Sequence, residues 1–407
     1  MKKIDFKSNK ILFLLDIIKN IFAFGIYIIS MQIIFLPYMS KHLDYGTNSK
    51  LLTYVVILNL FTMSIGQQLG ITLQIYTGDR DQKKYLHDFR LLNLISNISV
   101  FLLTFVIILF LKFGFINALV LSIISTLTNN RFYYVAHFRN NKNFNKVTIS
   151  NIFYFLGIIL GIAYCYFINV NFWLPILLAE IFANIYIYIS LIELKGFRAE
   201  KTNHFIFVLK DYFNLMLSAF LSNIPVYTDK LLVLPLLGTE SMSIYYAGTA
   251  LSKALFLIVN PVSAVLLAWL SNSNYKDVKA LVKKYIKINL LLIIGIFALN
   301  LPFTYLATKI LYSHLFESVL NIIIPISVTA TVQISSSFLN VIMLKYYNSI
   351  NNIYVNLTSI ISFIIFGVLG ARIGGLYGFA WGMSFSKILI WIAYTVIMIY
   401  STPKQDS

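Results

Sequence analysis

Residues 210–270 read KDYFNLMLSAFLSNIPVYTDKLLVLPLLGTESMSIYYAGTALSKALFLIVNPVSAVLLAWL. Two apolar spans flank a short loop, Gly238–Ser243, and inside those spans sit Asp229, Lys230 and Lys253. A charge at bilayer depth costs about 2.5–3.5 kcal/mol on insertion scales. A chain that carries three of them in one hairpin must turn them toward water, a partner or a ligand. The stretch therefore reads as a membrane hairpin with a polar interior.

The rest of the chain fits that reading. Of its 407 residues 59% are hydrophobic and 12% are charged, where soluble proteins carry about 25% charged residues. The apolar segments are long enough to cross a ~30 Å hydrocarbon core at about 1.5 Å rise per residue. No segment alternates in the ~10-residue manner of a transmembrane barrel strand. The formal net charge of +17 would suggest nucleic acid in a soluble protein. Here the basic residues punctuate the apolar spans, so the positive-inside rule accounts for them and no nucleic-acid partner is expected. The single cysteine, Cys165, can form neither an internal disulfide nor a CxxC site. The basic start followed by an apolar run to Pro37 lacks a small-x-small cleavage pattern, so it is expected to stay as a first helix.

The fold class expected is an all-α polytopic membrane protein of about twelve transmembrane helices. The spans fall near 17–39, 51–73, 91–111, 118–138, 148–168, 172–192, 210–237, 244–270, 285–308, 319–340, 353–370 and 375–400. With the N-terminus inside, the inner segments hold 22 of the 32 basic residues and the outer loops hold 5. This bias and the even span count place both termini in the cytoplasm. The loop Glu193–Leu209 divides the spans six and six, giving a bundle over 1–200 and a second over 201–407 around a central cavity. Each half opens alike: a long helix, a short outer loop with a glycine, then a Tyr-bearing helix, with Asp16 and Asp211 at matching places. Duplicated bundles of this kind are common in secondary transporters.

Within the hairpin, Asn214, Ser218, Ser222 and Asp229 share a helix face by spacing, and Tyr246, Thr249, Lys253 and Asn260 share another. Two readings stay open. Asp229 pairs with Lys230 or Lys253 and locks the helices, or the three line a cavity in which an anionic ligand balances the extra lysine. Pro225, Pro235 and Pro261 would kink the same spans. Elsewhere, Lys387 in the last span either lines the second bundle's interior or snorkels. Arg131 points away from the Ser122, Ser125, Asn129 and Tyr133 stripe, which favours snorkelling to the inner interface over lining the cavity. Glu180 shares a face with Asn184 and Tyr188 and is either a protonatable coupling group or a neutral structural one. The candidates are thus Lys230, Lys253, Asp229, Lys387 and Arg131 for binding, and Glu180 and Asp229 for ion coupling. Glycines at four-residue spacing, at 66 and 70, 157 and 161, and 370 to 382, read as close-packing faces.

Several chemistries lack their residues. There is no phosphate-binding G-x-x-x-x-G-K-[ST] loop, the five histidines are scattered without metal-ligand spacing, and no loop offers a nucleophile with its base and acid. No metal, cofactor or catalytic residue is expected, and the chain is not read as an enzyme.

Tyr227-Thr228-Asp229-Lys230-Leu231, the Leu237-Gly238 turn, Tyr245-Tyr246 and Pro261, with Leu36–Gly46 and Gly374–Gly382, resemble segments of the Wzx-type O-antigen or polysaccharide repeat-unit flippases. These form the polysaccharide branch of the multidrug/oligosaccharidyl-lipid/polysaccharide exporter superfamily. The resemblance extends over the whole length in span count and loop sizes, although Asp44 stands where the family usually has a glycine. It implies translocation of an undecaprenyl-pyrophosphate-linked oligosaccharide across the bacterial inner membrane by alternating access. It also implies coupling to a proton or sodium gradient, and a polysaccharide polymerase and chain-length machinery as partners. Two alternatives remain: a small-molecule exporter of the same superfamily, and a membrane-embedded polysaccharide polymerase, for which no outer catalytic loop is found.

Overall fold

The structure, a computed structural model, describes residues 18–77, 82–140, 143–191, 199–252, 278–347 and 349–401. The protein is an all-helical, multi-pass membrane protein. In chain order the first six helices are α1 (Ile18–His42), α2 (Tyr45–Tyr76), α3 (Gln82–Phe110), α4 (Phe115–Asn140), α5 (Phe144–Phe167) and α6 (Leu174–Ser190). Then come α7 (205–237), α8 (239–252), α9 (Val278–Leu311), α10 (Ile323–Tyr346), α11 (349–373) and α12 (376–400). Each corresponds to one expected span, with α8 described as far as Ser252.

Helix boundaries follow local chemistry. Asp44 is extended at the N-cap of α2, and its carboxylate accepts the Thr47 amide at 2.9 Å, an arrangement worth about 1 kcal/mol. Asp44 thus supplies a helix cap. The expected loop Gly238–Ser243 is shorter than its spacing suggested. Gly238 alone leaves helical geometry (φ 83°), and α8 resumes at once. Pro235 lies in regular helix just before it, so the reversal belongs to the glycine and not to the proline. Gly374 and Gly375 turn α11 into α12 in the same way, with Gly375 at φ 55°.

By contacts the chain forms two units, 1–223 and 224–407. The expected boundary at 200/201 precedes α7, whereas residues 205–223 of α7 bond within the first unit. The Tyr76 hydroxyl donates to Asp211 at 2.6 Å, the Tyr212 hydroxyl to the Ile65 carbonyl at 3.4 Å and the Asn223 amide to Ser64 at 3.1 Å. The last two acceptors lie in a π-helical turn of α2, Thr62–Gly66. Such turns often mark functional positions.

In the first unit α4 touches α2, α3, α5 and α6, which explains its polarity. Ser122, Ser125, Asn129, Arg131 and Tyr133 are all buried among helices instead of meeting lipid. In the second unit α10 has that place, packed on α9 and on α11–α12. Its Ser327, Thr329, Thr331, Ser335 and Ser336 are buried. By contrast α9 exposes Leu291, Ile294 and Leu299, each about 70% exposed, as a lipid-facing helix must. Small residues set the closest helix contacts. A side chain at Gly370 or Gly378 would strike the other's backbone, and one at Gly157 or Gly161 would strike the backbone of α6 at Ala179 or Pro175. The four-residue glycine pattern is therefore packing, with Gly374 excepted because it forms the turn.

Candidate functional site

In the second unit Asp229 and Lys230 of α7 are buried against α8, and Lys387 of α12 is buried against α11. The Asp229 carboxylate accepts the Lys230 amide at 2.8 Å and the Tyr245 hydroxyl at 3.2 Å. Tyr245 in turn stands edge-on to Phe379 at 5.4 Å between centroids. The Lys230 ammonium lies over the Tyr246 ring, 4.1 Å from its centroid. The Lys387 ammonium is buried and lies 4.6 Å from the centroid of Phe363. An aromatic face stabilises a desolvated cation by up to about 2 kcal/mol. Gly367 admits Met383, Phe379 and Leu232 at close range, which joins α7 to α11 and α12.

The described residues of the second unit bury two ammonium groups, Lys230 and Lys387, and one carboxylate, Asp229. Lys253, Asn260 and Pro261 lie outside the described residues, as does Asp16 of the first unit, and so does the side chain of Pro225. Thr249 and Tyr246 of the α8 stripe are buried, whereas Asn214, Ser218 and Ser222 of the α7 stripe are exposed. The α7 stripe thus changes environment along its length, from exposed hydroxyls to buried charge.

In the first unit Arg131 does not snorkel. It is 3% exposed, and its Nε and Nη2 donate to the two oxygens of Glu180, both at 2.9 Å. Rings of Tyr27, Phe132 and Tyr154 surround the guanidinium at 4.6–5.2 Å. This planar, bidentate geometry is the strongest form of the pair. It satisfies Glu180 locally, on the side where a protonatable group was one expectation. Spacing on α4 could not show this, because the partner lies 49 residues away on α6.

Around the pair is a polar network that sequence reasoning missed. Asn130 donates to Asn184 at 3.0 Å and accepts from Asn93 at 2.9 Å, and Asn129 donates to Asn97 at 2.8 Å. A second network ties the second unit together: Asn289 accepts from Ser335 and, at 2.7 Å, from the Trp391 indole. The available signal was the recurrence of Asn and Ser within apolar spans, which marks buried helix faces but not their partners.

No family model and no curated protein matches the chain. Solved structures do. An inward-facing MATE-family multidrug resistance transporter of the MOP superfamily aligns over 93% of both chains, with 12% identity and a TM-score of 0.65. The lipid II flippase MurJ, in an inward closed conformation, aligns over 96% of this chain and 88% of its own, with 16% identity and a TM-score of 0.66. An outward-facing MATE transporter aligns over 93% and 94%, with 12% identity and a TM-score of 0.56. The protein therefore has the fold shared by the MOP-superfamily transporters and flippases. At these identities the likeness extends to the fold and no further.

Proposed function

We propose that the protein is a flippase for a polyprenyl-pyrophosphate-linked oligosaccharide, an O-antigen or similar repeat unit. It would carry this unit from the cytoplasmic to the periplasmic leaflet of a bacterial inner membrane, with both termini in the cytoplasm. The observation that carries the proposal is the charge buried in the second unit: Lys230 and Lys387, each with its ammonium on an aromatic ring, and Asp229. A pyrophosphate–sugar head cannot cross hydrocarbon unaided. Ammonium groups held on aromatic faces replace its hydration, and alternating access moves it without covalent chemistry. Asp229, positioned by Tyr245, keeps the lysines compensated when no ligand is bound and serves as the candidate coupling group for a proton or sodium gradient. Lys253 belongs to the same proposal on its spacing alone.

A small-molecule exporter of the same superfamily has the same fold in its favour. For cationic drugs it would draw on Glu180, and that carboxylate is already engaged by Arg131 at 2.9 Å. The test is Lys230→Ala and Lys387→Ala in the producing cell. Loss of surface polysaccharide with normal membrane insertion supports the flippase. Normal polysaccharide at normal protein level in both would remove the cationic-site reading. Lipid analysis separates this from a polymerase: without a flippase single repeat units stay on the cytoplasmic face, and without a polymerase they face outward.

A further inference from the structure

A groove of about 410 Å³ runs along the first unit between α4 and α6, with Arg90 of α3 at one end. This volume falls within the ~300–1,000 Å³ of small-molecule sites. Its wall is built of Leu127, Ile181, Ile185 and Ile189, and the last two are more than half exposed. In a membrane helix that exposure faces lipid. Asn130 and Asn184, hydrogen-bonded to each other at 3.0 Å, also line the groove. From Ile181 to Leu191 the groove follows α6 and its C-cap over ten residue steps. At about 1.5 Å per residue that is about 15 Å, half of a ~30 Å hydrocarbon core. Arg90, the Tyr134 and Tyr188 rings and the C-terminus of α6 share one end. There Lys146 donates to the Ser190 carbonyl at 3.2 Å, which places a second cation at the C-terminus of α6. By the positive-inside bias this end lies at the cytoplasmic face.

We infer that this groove is a binding site for one anionic phospholipid of the inner leaflet, its phosphate on Arg90 and Lys146 and one acyl chain on the isoleucines of α6. Three features match that occupant: an apolar trough one leaflet deep, cations at its headgroup end, and a lateral opening to lipid. Asp229, Lys230 and Lys387 play no part, so the site is independent of the flippase reading.

The test uses the purified full-length protein in neutral detergent, with phosphatidylglycerol and phosphatidylcholine of matched chains at equal concentration, read by native mass spectrometry. One phosphatidylglycerol should be retained in preference to phosphatidylcholine. Arg90→Ala should lower that retention about five-fold, the worth of one interfacial cation. Ile185→Trp, on an exposed face where folding is not at stake, should fill the groove and reduce retention of both lipids. Lys284→Ala, a basic residue elsewhere, should change nothing. Equal retention of the two lipids, or wild-type retention in both Arg90→Ala and Ile185→Trp, would overturn the proposal. Retention of a polyprenyl phosphate in place of phosphatidylglycerol would overturn it in favour of a polyprenyl tail.

Discussion

Replacing Glu180 with glutamine strands the Arg131 guanidinium among helices. The two N–H···O contacts are 2.9 Å long, and the side chains are 4% and 1% exposed. At an effective dielectric of about 20 the gross attraction is about 6 kcal/mol. Much of that is offset by the desolvation both groups have undergone, and breaking such a pair from one side costs about 3–5 kcal/mol. Glutamine keeps one acceptor, and the rings of Tyr27, Phe132 and Tyr154 still face the cation. The low end, about 3 kcal/mol, is therefore expected, a shift of about two decades in the folding equilibrium. Replacing both residues with leucine removes both buried charges and should cost much less than the two single losses added together. The assay is equilibrium unfolding in mixed micelles followed by tryptophan fluorescence, as a double-mutant cycle over Arg131→Leu and Glu180→Leu. A coupling of about 2 kcal/mol or more is expected. Single losses below about 0.5 kcal/mol that simply add would refute the argument. So would a Glu180→Gln protein of unchanged stability that no longer supports transport, because Glu180 would then act by exchanging a proton.

Other expectations follow from single contacts. Tyr245→Phe removes the hydroxyl that donates to Asp229 at 3.2 Å and should destabilise the second unit by about 1.5–3 kcal/mol in the same unfolding assay, as expected for a bond to a charged group. Gly378→Val forces α12 off the Gly370 backbone and should cost about 1–3 kcal/mol or lower the yield of folded protein, whereas Gly374→Ala, with open space around it, should leave the melting temperature nearly unchanged. Asp44 lies between α1 and α2, outside the spans, and its hydrogen bonds to Thr47 hold its carboxyl below the ordinary value. Its capping contribution is therefore complete above the ordinary carboxylate range and is lost as pH falls through the depressed folded value. Asp44→Ala should cost about 1 kcal/mol at neutral pH, less with solvent screening, and the gap to wild type should close in strong acid.

Particular residues show how far the sequence reading reached. The helices, the charges Asp229 and Lys230 within them, and the packing glycines were legible, because bilayer thickness and the cost of buried charge act on local composition. Arg131 was not. A helical wheel shows that it leaves the Ser122–Tyr133 stripe, and snorkelling follows if α4 faces lipid. Arg131 is not on the lipid side: α4 shows lipid Phe115, Ile116, Leu119 and Ile123, while Arg131 is buried against other helices. Tyr27, Tyr154, Asn130 and Asn184 were invisible as a site for the same reason: each is an ordinary membrane residue until a distant helix supplies its partner. Likewise the turn at Gly238 looked like a loop of several residues, because composition marks where a chain reverses but not how tightly.

What must be in the membrane, which loops are basic, and the charge at depth in the second half are all readable along the chain. These are one-dimensional properties, set by transfer free energies summed along short stretches of chain. Which groups meet is set by how the helices pack. Arg131 and Glu180 neutralise one another across 49 residues of sequence, whereas the Lys230 and Lys387 ammonium groups rest on the rings of Tyr246 and Phe363. The physical reason is that electrostatic compensation depends on distances of a few ångströms in space, and the packing of helices alone sets those distances.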